Sequence, residues 1–138
     1  MLVIDAGAVV ELLLGRTAAE RIELHVVDHG YEMHAPHLLD VEVLSALRRA
    51  ASTGRTSPAR AGEAVRDLVD LPVERYPHQG LAVRVWELRE NFSAYDAAYL
   101  ALAEMLADEG VPLLTTDARF ARASRVHGGA PVLLVDMA

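Results

Sequence analysis

Residues 93–117 read SAYDAAYLALAEMLADEGVPLLTTD, and this stretch decides the fold class. Residues 97–107 would be apolar on nearly every face of a helix, and Glu104 is the one charged residue among them. A helix of that kind is usually buried. The second half contains a short apolar run, 112–116, which predicts a strand ending at Asp117. A buried helix followed directly by a buried strand is typical of an α/β domain.

The alternation of strands and helices extends outward from this stretch in both directions. Four further short apolar runs predict strands, at 2–5, 32–35, 73–76 and 132–135. Because helices are predicted between them, we expect a mostly parallel sheet. No repeat, low-complexity segment or linker divides the chain, so residues 1–138 are expected to form a single domain.

Glycine, proline and capping residues predict where the helices begin and end. The predicted helices are about 6–14, 17–29, 36–53, 58–71, 79–89, 93–110 and 118–125. The second of them rests on Thr17 and Glu20, which have the spacing of a capping box. The fourth rests on Ser57 as the capping residue and Pro58 at the first helical position.

The composition excludes several classes of protein. The chain has 138 residues, 52% of them hydrophobic, which suits one globular domain with a real core. It contains no cysteine, which excludes disulfides, thiolate metal sites and a cysteine nucleophile. The formal net charge of -7 argues against a protein that coats nucleic acid non-specifically. No apolar run reaches the roughly 18 residues of a membrane span, and no signal peptide is evident, so a cytoplasmic location is expected.

Three aspartates stand where a site could form, and each also has a capping explanation. Asp5 and Asp117 directly follow predicted strands, and ligands of open α/β sheets bind beyond the carboxyl ends of strands. Aspartate in that position can equally cap the helix that follows. Asp96 is the third residue of its helix after Ser93, which is also the acidic position of a capping box.

Glu42 is the acid that capping cannot explain. It lies inside a predicted helix beside the apolar stripe formed by Leu39, Val43 and Ala46, with no arginine at helical spacing after it. Its other interpretation is an edge residue whose carboxylate reaches solvent. Several carboxylates gathered together either take up a proton or bind a cation. Since hard divalent ions prefer oxygen ligands, a cluster of these four acids predicts Mg²⁺ or Mn²⁺.

Other constellations give weaker signals. The six histidines lack the HEXXH pattern, and no P-loop or GxGxxG segment is present. Trp86, Phe92 and Phe120 are interpreted as core residues in preference to a base-stacking platform. The arginines of 48–49 and 119–125 could contact RNA phosphates, but solvated helix faces are the simpler interpretation.

Four segments together resemble the PIN-domain ribonucleases, and among them the VapC toxins of bacterial and archaeal toxin–antitoxin pairs. The segments are VIDA at 3–6, VEVLSALR at 41–48, YDAAYLALA at 95–103 and LTTD at 114–117. Their order and spacing agree with the family over essentially the whole chain. The resemblance implies a three-layer α/β fold with a mostly parallel sheet of four to five strands flanked by helices.

The resemblance also implies a function and its residues. Asp5, Glu42, Asp96 and Asp117 match the acidic positions of the family, and Thr115 matches a hydroxyl position near the metal. The expected activity is Mg²⁺- or Mn²⁺-dependent cleavage of RNA by the toxin of a type II toxin–antitoxin system. The expected partners are RNA, a small cognate antitoxin protein and a second copy of the chain in a homodimer, with no membrane.

Two departures from the family pattern bear on how well the site works. Gly7 stands where the family often has serine or another polar residue, and Ser45 where it often has asparagine. Gly7 removes a possible hydrogen bond to a metal-binding group, and the serine side chain has a shorter reach than asparagine. Two alternatives therefore stay open: a catalytically weak binding module, and another carboxylate metal enzyme such as a DNA nuclease or a phosphatase.

Overall fold

A five-stranded, all-parallel sheet lies at the centre of the computed structural model, which describes residues 1–137. The strands are β1 (Leu2–Ile4), β2 (Met33–Pro36), β3 (Val73–Tyr76), β4 (Leu113–Thr115) and β5 (Val132–Leu134). Their spatial order is β3-β2-β1-β4-β5, so β1 lies in the middle. This arrangement confirms the expected α/β fold, with the upper of the two predicted strand counts.

Seven α-helices flank the sheet in the described part of the chain. They are α1 (Ala6–Leu14), α2 (Ala19–Asp28), α3 (Leu38–Ser52), α4 (Pro58–Asp70), α5 (Ala82–Glu87), α6 (Ala94–Met105) and α7 (Ala118–His127). A 3₁₀ helix over His78–Leu81 precedes α5. None of the helices within 1–137 combines the length and hydropathy that a bilayer crossing requires.

The helix ends predicted from Gly15 and Ser57 are confirmed, whereas the capping box at Thr17 is wrong. Gly15 has a left-handed backbone (φ +62°) directly after α1, and Ser57 Oγ accepts a hydrogen bond from the Arg60 N–H at the start of α4. The second helix instead begins after Ala18, without a side-chain cap. There the Ala19 N–H donates to the Arg16 carbonyl, so a backbone turn replaces the hydroxyl.

Three other helices are shorter than predicted. Pro36 belongs to β2, where it pairs with Tyr76, so α3 begins two residues later. The segment expected as one helix over 79–89 divides into the 3₁₀ helix and α5. Helix α6 ends at Met105 and not near Gly110. The acidic residues that follow it are unfavourable at the negative end of a helix dipole.

Helix α6 is the buried helix that its composition predicts. Its residues from Ala97 to Ala103 are all buried, and it packs against β1, β2 and β4. Four of these seven buried side chains are alanines, which allow a close approach to the sheet. The first turn of α6 is thereby fixed at the carboxyl end of the central strands.

Glu104, the charged residue of this helix, joins three parts of the fold. Its Oε1 accepts from Arg84 Nε at 2.7 Å, and its Oε2 accepts from the Gly129 N–H at 2.7 Å. The Glu104 side chain is only 14% exposed, whereas the Arg84 side chain is 41% exposed. The carboxylate therefore ties α6 to α5 and to the loop before β5.

Replacing Glu104 by alanine is expected to lower the free energy of unfolding by about 1–3 kcal/mol, because the Gly129 N–H loses its acceptor and Arg84 keeps only the exposed Glu87. Urea denaturation measures this loss. The matched control is Glu87→Ala, which removes an exposed carboxylate 3.6 Å from the same Arg84 and should cost less than about 0.5 kcal/mol. Equal losses in the two variants would contradict the role given to Glu104.

Candidate metal centre

Adjacent parallel strands bring Asp5 and Asp117 to one edge of the sheet. Strands β1 and β4 are neighbours, with Ile4 in register with Leu114, and the Asp5 N–H donates to the Leu114 carbonyl at 3.1 Å. Asp5 follows β1 directly, and Asp117 follows the end of β4 by two residues. The predicted placement of both acids beyond the carboxyl ends of strands is confirmed.

Asp5 is buried, and both of its carboxylate oxygens accept hydrogen bonds. Oδ1 accepts from the Ala8 N–H at 2.9 Å, which caps α1, and Oδ2 accepts from the Thr115 hydroxyl. The pKa of Asp5 is raised from 3.8 to about 6, chiefly by burial and also by the nearby charges of Asp117 and Asp96, against the lowering effect of the hydrogen bonds from Thr115 and Ala8. The Asp5 carboxyl group thus caps α1 and also lies in the candidate site.

Thr115 joins the two strand-end acids. Besides donating to Asp5, its hydroxyl oxygen accepts from the Asp117 N–H at 3.0 Å. Thr115 is fully buried, so these bonds fix the backbone at Asp117 relative to the Asp5 carboxylate. The Thr115 hydroxyl therefore lies between the two strand-end acids.

Asp117 also caps a helix, and it uses only one of its two carboxylate oxygens to do so. Its Oδ1 accepts from the N–H groups of Arg119 and Phe120 at 2.9 and 3.1 Å, at the start of α7. Its other oxygen accepts no hydrogen bond from the described residues. Asp117 and Asp96 line one cavity of about 360 Å³ together with Arg119. Carboxylates and a guanidinium therefore line the same cavity.

Asp96 is half-buried in the first turn of α6, where its backbone and its side chain have separate roles. The Asp96 N–H donates to Ser93 Oγ at 3.2 Å, which is half of a capping box. Its carboxylate accepts no hydrogen bond from the described residues. Burial, followed by the charges of Asp117 and Glu42, raises the pKa of Asp96 above its ordinary value.

Glu42 lies on α3, and its side chain is hydrogen-bonded to Tyr99 on α6. It is partly buried, and its Oε1 accepts from the Tyr99 hydroxyl at 2.7 Å. Burial and the charges of Glu42, Asp5 and Asp96 raise the pKa of Tyr99, so this hydroxyl keeps its proton and donates it in the hydrogen bond. The charges of Asp117 and Asp96 raise the pKa of Asp5, and those of Asp117 and Glu42 raise the pKa of Asp96. The four acids therefore lie in one region of the molecule, with Tyr99 among them.

Tyr99 is the residue of this region that the sequence interpretation missed. It follows Asp96 by three residues on α6, so the two share a helix face, and this spacing is the signal that could have found it. Gly7 is informative in a different way. A Cβ at this position would lie 3.0 Å from Thr116 Oγ1 and 3.8 Å from Asp5 Oδ1. A side chain there would therefore face the site and press on the Thr116 hydroxyl.

Of the three aromatic residues expected in the core, two are core residues and one is not. Phe92 and Phe120 are buried and meet edge to face, with ring centroids 6.1 Å apart. Trp86 is 67% exposed, so its interpretation as a core residue is wrong. The indole lies on the short α5, which has no buried residue.

The donor chemistry of the region fits a hard divalent cation. Carboxylate oxygens are the preferred ligands of Mg²⁺ and Mn²⁺, and the mutual repulsion that raises the Asp5 and Asp96 pKa values is what a cation relieves. Within residues 1–137, no three carboxylate or imidazole side chains are arranged as a finished metal site. Binding would therefore require carboxylate side chains to rotate toward the ion.

Replacing Tyr99 by phenylalanine is expected to lower Mn²⁺ affinity or activity by about 10- to 100-fold, the usual effect of losing a group that orients a metal-binding carboxylate. The free energy of unfolding should fall by only about 1 kcal/mol, because Glu42 is partly exposed and can hydrate. Calorimetric titration with Mn²⁺ and thermal unfolding test the two parts. Unchanged affinity and activity would show that Tyr99 does not position Glu42.

Comparison with known proteins agrees with this arrangement. The PIN domain family model matches residues 2–126. Among relatives from Mycobacterium tuberculosis, Ribonuclease VapC1 is 43% identical over 88% of this chain and 89% of its own length. Ribonuclease VapC9 is 41% identical over 86% and 87%, and Ribonuclease VapC12 is 38% identical over 93% of each chain.

A solved structure shows the same fold at lower sequence similarity. The crystal structure of PAE2754 from Pyrobaculum aerophilum superposes with a TM-score of 0.63, covering 95% of this chain and 82% of that one at 23% identity. The family model and the mycobacterial relatives confirm the resemblance carried by the four acidic segments. The chain therefore belongs to the PIN-domain family, in its VapC ribonuclease branch.

Proposed function

We propose that this chain is an endoribonuclease toxin that hydrolyses RNA phosphodiester bonds with Mg²⁺ or Mn²⁺ held by Asp5, Asp96, Asp117 and Glu42. The observation that carries the proposal is the pairing of Asp5 and Asp117 at the carboxyl ends of β1 and β4, with the charges of Asp96 and Glu42 acting on the same region, in a chain of the VapC branch. Loaded with its ion, the centre would lower the pKa of a water molecule and neutralise charge on the phosphate.

The residues of the chain divide the remaining tasks. Thr115 donates to the Asp5 carboxylate and accepts from the Asp117 backbone N–H, so it fixes the position of these two residues relative to each other. Glu42, held by Tyr99, either completes the metal shell or orients the attacking water. In the reaction the water oxygen bonds to phosphorus, the bond from phosphorus to one ribose oxygen breaks, and that oxygen takes up a proton.

Arg119 is the basic residue best placed to hold the RNA backbone. It lines the same cavity as Asp96 and Asp117, and it makes no ion pair with a described residue. A guanidinium can bind a phosphate through two parallel hydrogen bonds. We therefore assign Arg119 to the phosphate of the cleaved strand or of its neighbour.

The partners follow from membership of the VapC branch. We propose a small cognate antitoxin protein that inhibits this chain, a homodimeric assembly, and action in the cytoplasm on RNA. We also propose that residues 1–138 work as one PIN-like domain, which is supported by a single sheet whose strands run from Leu2 to Leu134.

The experiment that tests the activity compares three substrates side by side. The purified chain should cleave single-stranded RNA with Mg²⁺ or Mn²⁺ and lose this activity in EDTA. It should act much more slowly on DNA of the same sequence and on a phosphomonoester. Preference for DNA or for the monoester would replace the ribonuclease proposal by another carboxylate metal enzyme.

A further inference from the structure

Gly7 and Thr116 face each other beside Asp5, and the mechanism above uses neither of them. Gly7 lies in the first turn of α1, and Thr116 directly follows β4. A Cβ built on Gly7 would lie 3.0 Å from Thr116 Oγ1 and 3.8 Å from Asp5 Oδ1. The Thr116 hydroxyl and the Asp5 carboxylate therefore border one small space in front of Gly7.

The two adjacent threonine hydroxyls at the end of β4 differ in their partners. The Thr115 hydroxyl donates to Asp5 and accepts from the Asp117 N–H, so its proton is already in use. The Thr116 hydroxyl makes no hydrogen bond with a residue of 1–137, and Thr116 is only partly buried. The proton of the Thr116 hydroxyl is therefore available to a molecule that enters the site.

The absence of a side chain at Gly7 keeps this space open. The backbone does not require a glycine there, because Gly7 is not among the described glycines with a positive φ. A glycine inside a helix is also less favourable than an alanine. A side chain at this position would approach Thr116 Oγ1 more closely than most Cβ atoms approach any neighbour, so the threonine would have to move. Gly7 thus allows the Thr116 hydroxyl to stay beside Asp5.

A phosphate in this region needs hydrogen-bond donors as well as a cation. The ionised carboxylates of the candidate centre can only accept hydrogen bonds. The oxygens of a phosphodiester are likewise acceptors, and a bond from a hydroxyl to a charged oxygen is stronger than one between neutral groups. Arg119 supplies donors in the cavity of Asp96 and Asp117. Thr116 supplies a donor beside Asp5.

We propose that Thr116 is a further catalytic residue, whose hydroxyl donates a hydrogen bond to a non-bridging oxygen of the cleaved phosphate from the space left open by Gly7. The inference rests on the proposed function and adds a substrate contact to it. A fixed donor aimed at an oxygen on which charge changes during the reaction stabilises the transition state. Because the space is small, a hydroxyl carried by residue 7 should be able to replace the hydroxyl carried by residue 116.

Thr116→Val removes the hydroxyl and keeps the shape of the side chain. In Mn²⁺ it should lower kcat/KM for single-stranded RNA by at least about 10-fold, the effect of losing one hydrogen bond to a charged group. Thr116→Ser retains the hydroxyl and should keep most of the activity, and thermal unfolding confirms that both variants are folded. Equal kcat/KM for Thr116→Val and the unmodified chain would overturn the inference.

Moving the hydroxyl from residue 116 to residue 7 tests the geometry itself. Thr116→Ala combined with Gly7→Ser should recover much of the activity that Thr116→Ala loses, because the serine side chain would enter the space that Thr116 Oγ1 borders. The matched control combines Thr116→Ala with Gly7→Ala, which fills the space without a hydroxyl and should recover none. Equal activity of the two double variants would overturn the inference, since filling the space would then be what matters.

Calorimetric titration with Mn²⁺ distinguishes a contact with the phosphate from an effect on the metal ligands. The Mn²⁺ affinity of Thr116→Val should equal that of the unmodified chain, because the Thr116 hydroxyl makes no hydrogen bond with a described carboxylate. A loss of Mn²⁺ affinity like the one expected for Tyr99→Phe would overturn the inference, because Thr116 would then act through the metal ligands.

RNA binding without cleavage separates this inference from the proposed catalysis. Asp96→Asn in saturating Mn²⁺ binds dye-labelled single-stranded RNA, and fluorescence anisotropy gives the Kd. Adding Thr116→Val should raise this Kd by about 5-fold or more, and an unchanged Kd would overturn the inference. If the unmodified chain cleaves no RNA while Thr116→Val still weakens RNA binding, the proposed catalysis fails and the Thr116 contact stands.

Discussion

Asp96→Asn is expected to lower the rate of RNA cleavage by at least about 100-fold while leaving the chain folded. Replacement of groups that merely orient metal ligands already costs about 10- to 100-fold, so loss of a ligand should reach or exceed that range. The Asp96 carboxylate accepts no hydrogen bond from the described residues, so the amide breaks no contact. The cap formed by its backbone N–H and Ser93 is retained.

Single-turnover cleavage in Mn²⁺ is the measurement, with circular dichroism to confirm folding. Asp67→Asn is the matched control, because it makes the same chemical change at an exposed position of α4 away from the site. Asp5→Asn should resemble Asp96→Asn in activity. Equal cleavage by the unmodified chain and both site variants would show that a contaminating ribonuclease is responsible, and the assignment of these acids would fail.

Without metal, the free energy of unfolding is expected to fall as the pH rises from about 4 to about 6, because of Asp5. Its pKa is raised from 3.8 to about 6 by burial, so in this window the folded chain holds a proton that the unfolded chain has released. The stabilising effect of that proton is complete below pH 3.8 and is lost above about 6. The difference between the two pKa values corresponds to about 3 kcal/mol.

Asp5→Asn isolates this effect from the other carboxylates. The asparagine carbonyl can still accept from the Ala8 N–H, and the amide does not titrate. In EDTA, the variant should gain stability relative to the unmodified chain by up to about 3 kcal/mol between pH 4 and pH 7. Urea denaturation across this range measures the difference. A constant difference between the two proteins would mean that Asp5 titrates normally in the folded chain.

Added Mn²⁺ should reverse the order of the two proteins at pH 7. An ion that binds only the folded chain stabilises it by mass action, and the unmodified chain offers the complete set of carboxylates. The same Asp5 carboxylate therefore destabilises the metal-free fold and stabilises the loaded one. This trade is typical of functional sites, where local stability is given up for chemistry.

The strand-end acids could be predicted because elementary geometry controls them. The residue after a buried parallel strand must emerge at the carboxyl edge of the sheet, and the apolar runs before Asp5 and Asp117 were plain. The sequence could not show that β1 and β4 are neighbours, because strand order depends on packing among distant residues. The two interpretations of Asp5 and Asp117, as helix caps and as residues of a site, do not exclude each other. Both aspartates cap helices and also lie within the candidate site.

Tyr99 and Trp86 show where sequence interpretation reaches its limit. Tyr99 looked like one more apolar residue of a buried helix, and only the approach of α3 reveals that its hydroxyl meets Glu42. Trp86 looked like a core residue because large aromatics usually are. It lies on the short α5, none of whose residues is buried. The hydrogen bond of Tyr99 and the exposure of Trp86 both depend on how separate helices pack together.

Calorimetric titration of the metal-free chain with Mn²⁺, compared with Asp96→Asn, tests the metal centre most directly. The account predicts saturable binding to the unmodified chain and at least about 10-fold weaker binding to the variant. It also predicts that Asp67→Asn binds as the unmodified chain does. Absence of saturable Mn²⁺ binding, or equal binding by Asp96→Asn, would contradict the claim that these four carboxylates form a metal centre.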